Sequence, residues 1–191
     1  MTAPFQWSMP AIDPTISLSL RASLALMFAA AAYHKAIDLP KFRSTLSAYR
    51  VLPDQLVASV AGAVVCSESA LAIGLVSPGL QPIAATMAIG LLAVYTAAIG
   101  INLARGRRDL DCGCGGPNAK QPIGPGLVAR NSILLLAAVG AAAPTTSRGL
   151  IWLDGVALAG TLVAVTLLWT AANGLLAVNG RLALRAAEAD S

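Results

Sequence analysis

The sequence predicts an all-α protein, a polytopic bundle of transmembrane helices with five spans, or four as the fallback if the first or last segment does not cross. Two observations predict it. The chain is 57% hydrophobic and only 12% charged, with a mean hydropathy of +0.72, whereas a soluble domain carries about 25% charge. That leaves too little polar surface to keep a folded chain of 191 residues in water. The apolar residues also gather into runs close to the roughly 20 residues that a helix needs to cross the hydrocarbon core, and the polar residues collect in the gaps. The whole of 1–191 reads as a single integral membrane domain.

Taken in order, the spans are expected at about 15–37, 56–77, 81–104, 125–143 and 150–178. The third, "PIAATMAIGLLAVYTAAIGINLA", carries no charge; the fifth is long enough to tilt or to run on along the interface. Between them lie "DLPKFRSTLSAYRVLPD", the tight "SPGLQ", a cysteine-bearing loop, and "PTTSRG". Prolines at 40, 53, 78, 82, 117, 122, 125 and 144 punctuate these gaps, where a missing N–H costs least. Runs of Ala and Gly such as "FAAAAY" and "AAVGAAA" let membrane helices approach closely, so a compact bundle is expected.

The first fifteen residues hold no Lys or Arg, so the charged start of a cleaved signal is missing and none is expected. With five spans the chain ends fall on opposite sides of the membrane. One side has Arg148 as its only cation. The other has Lys41, Arg43, Arg50, Arg105, Arg107, Arg108, Lys120, Arg181 and Arg185. The bias predicts a multi-pass protein of the cell membrane, with the N-terminus outside and the C-terminus and cysteine loop cytoplasmic. The formal charge of +4 forms no stripe on a soluble fold, so nucleic acid is not an expected partner; the lipid bilayer is. "GGPNAK" lacks the second glycine and the Lys-Ser/Thr pair of a phosphate loop, which argues against ATPases.

Ionisable groups within spans face the protein interior or a partner. Glu68, near the middle of the second span, is expected to pair with Arg21 of the first, either as an ion pair fixing helix register or as a buried relay or quinone-facing acid. No other cofactor is expected. Lys35 is expected to snorkel to the headgroups, with His34 beside it at the interface. Asn102, Arg130 and Asn131 flank the cysteine loop and are expected to point at it from below. Cys66, about ten residues into its span, is expected to be a small buried filler, with exchange to the loop thiols as the functional alternative.

The loop itself reads "RRDLDCGCGGPNAK", residues 107–120. Thiolate is the reactive form of cysteine and nearby cations favour it; Arg107, Arg108 and Arg130 supply them, while Asp109 and Asp111 oppose. Gly113, between Cys112 and Cys114, and Gly115-Gly116 after them give the backbone freedom that a short disulfide ring needs. Strain in such a ring makes it labile and oxidising, which suits exchange better than stapling. Three readings stay open on the residues alone: thiol–disulfide exchange, thiolate binding of copper or zinc, and thiols that stay reduced in the cytoplasm. A structural membrane subunit without chemistry of its own would also carry such a loop.

A span ending "INLARGRRDLDCGCGG" followed by one opening "LVARNSILLLAA" resembles the MauE family of methylamine utilisation membrane proteins, relatives of the DoxX-like proteins. The elements that carry the resemblance are Arg105-Gly106, Asp111-Cys112-Gly113-Cys114-Gly115 and Arg130-Asn131, with Lys35 and Glu68 as weaker ones. Gly115 stands where the family loop has an aromatic residue. The resemblance implies a maturation factor, acting beside a thioredoxin-like partner in disulfide formation, processing or transport of a periplasmic client such as the methylamine dehydrogenase small subunit. In that role Cys112 and Cys114 would be the exchanging pair, and Arg108 or Arg130 would stabilise the thiolate.

Overall fold

A computed structural model describes residues 11–107, 110 and 123–189, with side chains as far as 179 and at 182. It is all-helical apart from an isolated bridge between Ile12 and Thr145. The helices are α1 (Pro14–Ile37), α2 (Leu39–Ala48), α3 (Asp54–Val76), α4 (Gln81–Ala104), α5 (Pro125–Ala142) and α6 (Trp152–Ala189). Five of them, all but α2, are long and apolar enough to cross a membrane. Outward-facing Ile73, Met87, Val94, Ile133, Leu136 and Leu168 are all more than 60% exposed, as lipid-facing side chains must be. This is a multi-pass membrane protein.

Local chemistry sets the helix ends. Asp13 caps α1 by accepting from the Thr15 N–H at 2.8 Å, and Pro14 fills the first turn where no N–H is needed. Asp38 closes α1 and caps α2, accepting from the Lys41 N–H at 3.1 Å. Residues 38–48, expected as plain connection, are therefore a short helix: Pro40 marks its first turn rather than a break. At the end of α4, Gly106 takes φ +73°. Its N–H reaches Leu103 O at 3.0 Å and that of Arg107 reaches Asn102 O at 3.1 Å, the paired bonds of a Schellman cap.

Helices α1, α3, α4 and α5 pack in a closed ring, each against the next, and α6 lies outside it against α1. The ring encloses Leu24, Phe28, Leu71, Leu75, Leu92 and a set of alanines. Small residues set the spacing: a Cβ on Gly74 would stand 3.0 Å from that of Ala84, so α3 and α4 touch almost backbone to backbone. On α6, Leu153, Val163, Leu167, Leu168 and Leu175 face outward.

The ring is not level with α1. Arg21, seven residues or about 10 Å into α1, donates to Gln81, the first residue of α4, at 3.3 Å and to Ala141 O near the end of α5 at 3.0 Å. The first two turns of α1 therefore project beyond the other helices of the ring. They meet the α5–α6 link, where Ile12 N–H bonds Pro144 O and Thr146 N–H bonds Ile12 O, both at 2.9 Å.

Candidate functional site

Two polar layers lie toward the end of the bundle that carries the cysteine loop. The first is held by α4 and α5. The loop's flanks meet at its base, where Ile123 N–H donates to Leu110 O at 2.9 Å. Leu110 and Ile123 pack with Tyr49, Ile99 and Leu127 in a small apolar cluster. Beneath it Asn102, fully buried, donates to Ala98 O at 3.1 Å and accepts from Arg107 Nη1 at 3.2 Å. The Arg107 guanidinium is thereby fixed at the loop's entrance, with Tyr49 O as a longer contact at 3.5 Å.

On α5, Arg130 and Asn131 are both buried. Arg130 turns to α6: its Nη1 donates to Asn173 Oδ1 at 2.7 Å and its guanidinium lies 4.9 Å from the Trp169 ring. A cation over an indole is an attractive pairing, stronger away from water. The buried guanidinium thus has both a carbonyl and a ring on α6; the cysteine segment of the loop it was expected to face lies outside the described residues. Asn131 Nδ2 has no hydrogen-bond partner among the described residues.

The second layer lies deeper. Lys35 of α1 and Glu68 of α3, 5% and 1% exposed, form an ion pair. Tyr95 of α4 donates its hydroxyl to the same carboxylate oxygen, Glu68 Oε1, at 2.8 Å. The Lys35 ammonium also sits 5.1 Å from the Tyr95 ring and 5.3 Å from that of Phe42 on α2. Tyr95 is nine residues, about 14 Å of helix, from the end of α4, so the pair is well inside the span.

Two expectations are corrected here, for one reason. Glu68 pairs with Lys35, not Arg21, and Lys35 is buried rather than snorkelling. Counting depth from level helix ends sets Glu68 opposite Arg21; the two-turn projection of α1 shifts α3 toward the loop end and carries Glu68 to Lys35. Arg21 instead satisfies a terminal carbonyl of α5. Cys66 is corrected as well. It is exposed on the outer face of α3, because two residues from Glu68 is about 200° around the helix.

At the opposite end, Arg148 joins α1 to α6. It reaches both carboxylate oxygens of Asp13 at 3.0 Å, Asp154 at 2.9 and 3.0 Å, and the Thr15 hydroxyl at 2.9 Å. The Arg148 guanidinium, followed by the Thr15 N–H, holds the Asp13 carboxyl below its ordinary range, and the two carboxylates raise Arg148 above its own.

A sequence model of the family described as methylamine utilisation protein MauE matches residues 13–144. The chain belongs to the MauE family. The methylamine utilization protein MauE of Paracoccus denitrificans is 42% identical over 123 residues, 64% of this chain and 66% of that protein. Its namesake in Paracoccus versutus is 41% identical over 131 residues, 69% and 70% of the two chains. That of Methylorubrum extorquens is 38% identical over 130 residues, 68% and 70%. The matched stretch thus spans about two thirds of these relatives' length. No solved structure matches the chain.

The MauE-family stretch contains the cysteine loop, the Lys35–Glu68 layer and Arg130-Asn131, and stops short of α6. Cys112, Cys114 and Arg108 lie outside the described residues. Arg105 caps α4 and is exposed. Among the described residues no three His, Cys, Asp or Glu side chains gather as metal ligands. Sequence reasoning did not single out Tyr95, Phe42, Asn173 or Trp169. Tyr95 had a signal, as the one aromatic in an otherwise aliphatic span; the others are recruited by a helix offset and a helix pairing that no local pattern encodes.

Proposed function

We propose that this MauE-family chain is a membrane maturation factor whose Cys112 and Cys114 exchange thiols and a disulfide. The client is a periplasmic protein such as the methylamine dehydrogenase small subunit, and a thioredoxin-like protein is the partner. The observation that carries the proposal is the setting of the cysteine segment. Both its flanks, Leu110 and Ile123, are bonded together and packed at the end of a rigid bundle, with the Arg107 guanidinium held at the entrance. A pinned base presents a glycine-rich segment to partners without loosening the helices, and fixed positive charge favours thiolate.

In the exchange, a thiolate on the loop's own side of the membrane, belonging to a dithiol carrier of the client's electrons, attacks one sulfur of the Cys112–Cys114 disulfide and forms a mixed disulfide. The carrier's second thiolate then releases it, so the carrier leaves oxidised, ready to oxidise the client, and the loop retains two electrons and two protons as a pair of thiols. The thioredoxin-like partner, in its disulfide form, resets the loop by the reverse exchange: the partner's disulfide takes up the two electrons and two protons, and the Cys112–Cys114 disulfide re-forms. The cation bias favours a cytoplasmic loop; with the loop on that side, a periplasmic client requires that redox equivalents pass across the bilayer.

The proposal is tested with a Cys112→Ser/Cys114→Ser double variant in cells that mature methylamine dehydrogenase. Client subunits should accumulate with free thiols and inactive, while the variant is inserted at the parent level. Full client oxidation in that strain would overturn the proposal.

A further inference from the structure

The Lys35–Glu68 layer is not used by the thiol exchange, and its side chains make a recognition set of their own. A carboxylate oxygen, a tyrosine hydroxyl directed at that same oxygen, and two aromatic faces at 5.1 and 5.3 Å surround one ammonium. Carboxylate with aromatic rings is the general chemistry for holding an organic cation. The second carboxylate oxygen, Glu68 Oε2, is buried and has no hydrogen-bond partner among the described residues. It is an acceptor with capacity left for an N–H donor, in a side chain 1% exposed.

From this geometry we infer that the cage of Glu68, Tyr95 and Phe42 is a binding site for a small primary alkylammonium ion, held at rest by the chain's own Lys35. The terminal –CH2–NH3+ of lysine is itself an alkylammonium head, so a free ion of the same kind satisfies the same partners. Charge conservation makes the event an exchange. A buried carboxylate left alone is costly, whereas one monovalent cation leaving as another arrives keeps the layer neutral. Lys35 has somewhere to go: it is two residues from the end of α1, where the carboxylate of Asp38 stands at the α1–α2 turn. Phe42 and Tyr95 are the partly exposed members of the cage, so entry runs past the two rings, between α2 and α4. The site is independent of the loop thiols and survives their replacement by serine.

The test uses the full chain in lipid nanodiscs, with methylammonium chloride as probe and sodium chloride and tetramethylammonium chloride as controls. In the parent, methylammonium should bind saturably and shift the 15N signal of the Lys35 Nζ, which is one of three lysines with Lys41 and Lys120 as internal references. Lys35→Ala vacates the cage and should bind methylammonium about tenfold or more tighter than the parent. The quaternary ion, lacking N–H donors, should bind more weakly than methylammonium. Adding Glu68→Gln should abolish binding in either background. If Lys35→Ala does not stay folded in sodium chloride, methylammonium during solubilisation should recover a monodisperse protein. The inference is overturned by equal effects of methylammonium and sodium chloride on Lys35→Ala, by recovery in neither salt, by binding that survives Glu68→Gln, or by no saturable Lys35 shift in the parent.

Discussion

Two ion clusters stand at opposite ends of the bundle, and they are built on opposite principles. At the α1–α6 junction one guanidinium is shared by two carboxylates and a hydroxyl; the Arg148 and Asp13 side chains are both 39% exposed. At the loop end a single lysine meets a single glutamate with almost no exposure. The exposed cluster is rich in contacts, yet each is made against competition from water and ions. The buried pair is poor in contacts, yet neither partner can be removed without stranding the other. The number of bonds in a cluster is therefore a poor guide to what its loss costs; the solvent around it decides.

The largest effect should follow from breaking the buried pair. Lys35→Ala or Glu68→Ala alone should destabilise the chain by about 3–5 kcal/mol, because each leaves an uncompensated charge. The double variant Lys35→Met/Glu68→Leu should recover most of that loss. Reversible unfolding in mixed micelles reads the cycle, and simple additivity of the two losses would contradict the contrast. Tyr95→Phe removes one hydrogen bond to the carboxylate and should cost about 1.5–3 kcal/mol in the same assay. An unchanged unfolding midpoint would show that the hydroxyl is not engaged.

Smaller effects are expected from the peripheral contacts. Asn173→Ala removes the carbonyl held by Arg130 and should cost about 0.6 kcal/mol, up to roughly 1.7, in line with interhelical bonds in membranes. Faster protease cleavage in the α5–α6 link would show α6 loosening from the ring. The smallest effect belongs to the exposed cluster. Arg148→Gln should lower the melting temperature slightly, and the difference should vanish near 1 M salt. Asp13 is held below its ordinary range by Arg148, so its contribution is present above about pH 4, its unfolded value, and is lost as pH falls through the lower folded value. In Arg148→Gln the acid side of the stability profile should flatten. A salt-independent loss would place this cluster with the buried kind.

The fold class and the apolar helices were legible because bilayer thickness fixes the length of an apolar run. Helix α2 was not, since a proline inside a polar connection reads as a break until Asp38 is seen capping the turn it opens. The presence of Glu68 in a span announced a partner, but its identity depended on how far α1 projects beyond the ring, which only packing at the α5–α6 link sets. Trp169 and Asn173 were likewise not legible as partners of Arg130, because only packing brings α6 to α5. Burial of single residues followed the face of each helix, and for Cys66 the face was set by its spacing from Glu68, once Glu68 was known to point inward.

The most direct measurement on the functional proposal is thiol trapping in intact cells with a membrane-impermeant maleimide, with and without permeabilisation and prior reduction, in a Cys66→Ser background. Labelling only after both permeabilisation and reduction is the predicted result, placing an oxidised Cys112–Cys114 pair on the cytoplasmic side. Labelling in intact cells without reduction would contradict the account, leaving free thiols on the outer face and no resting disulfide to exchange.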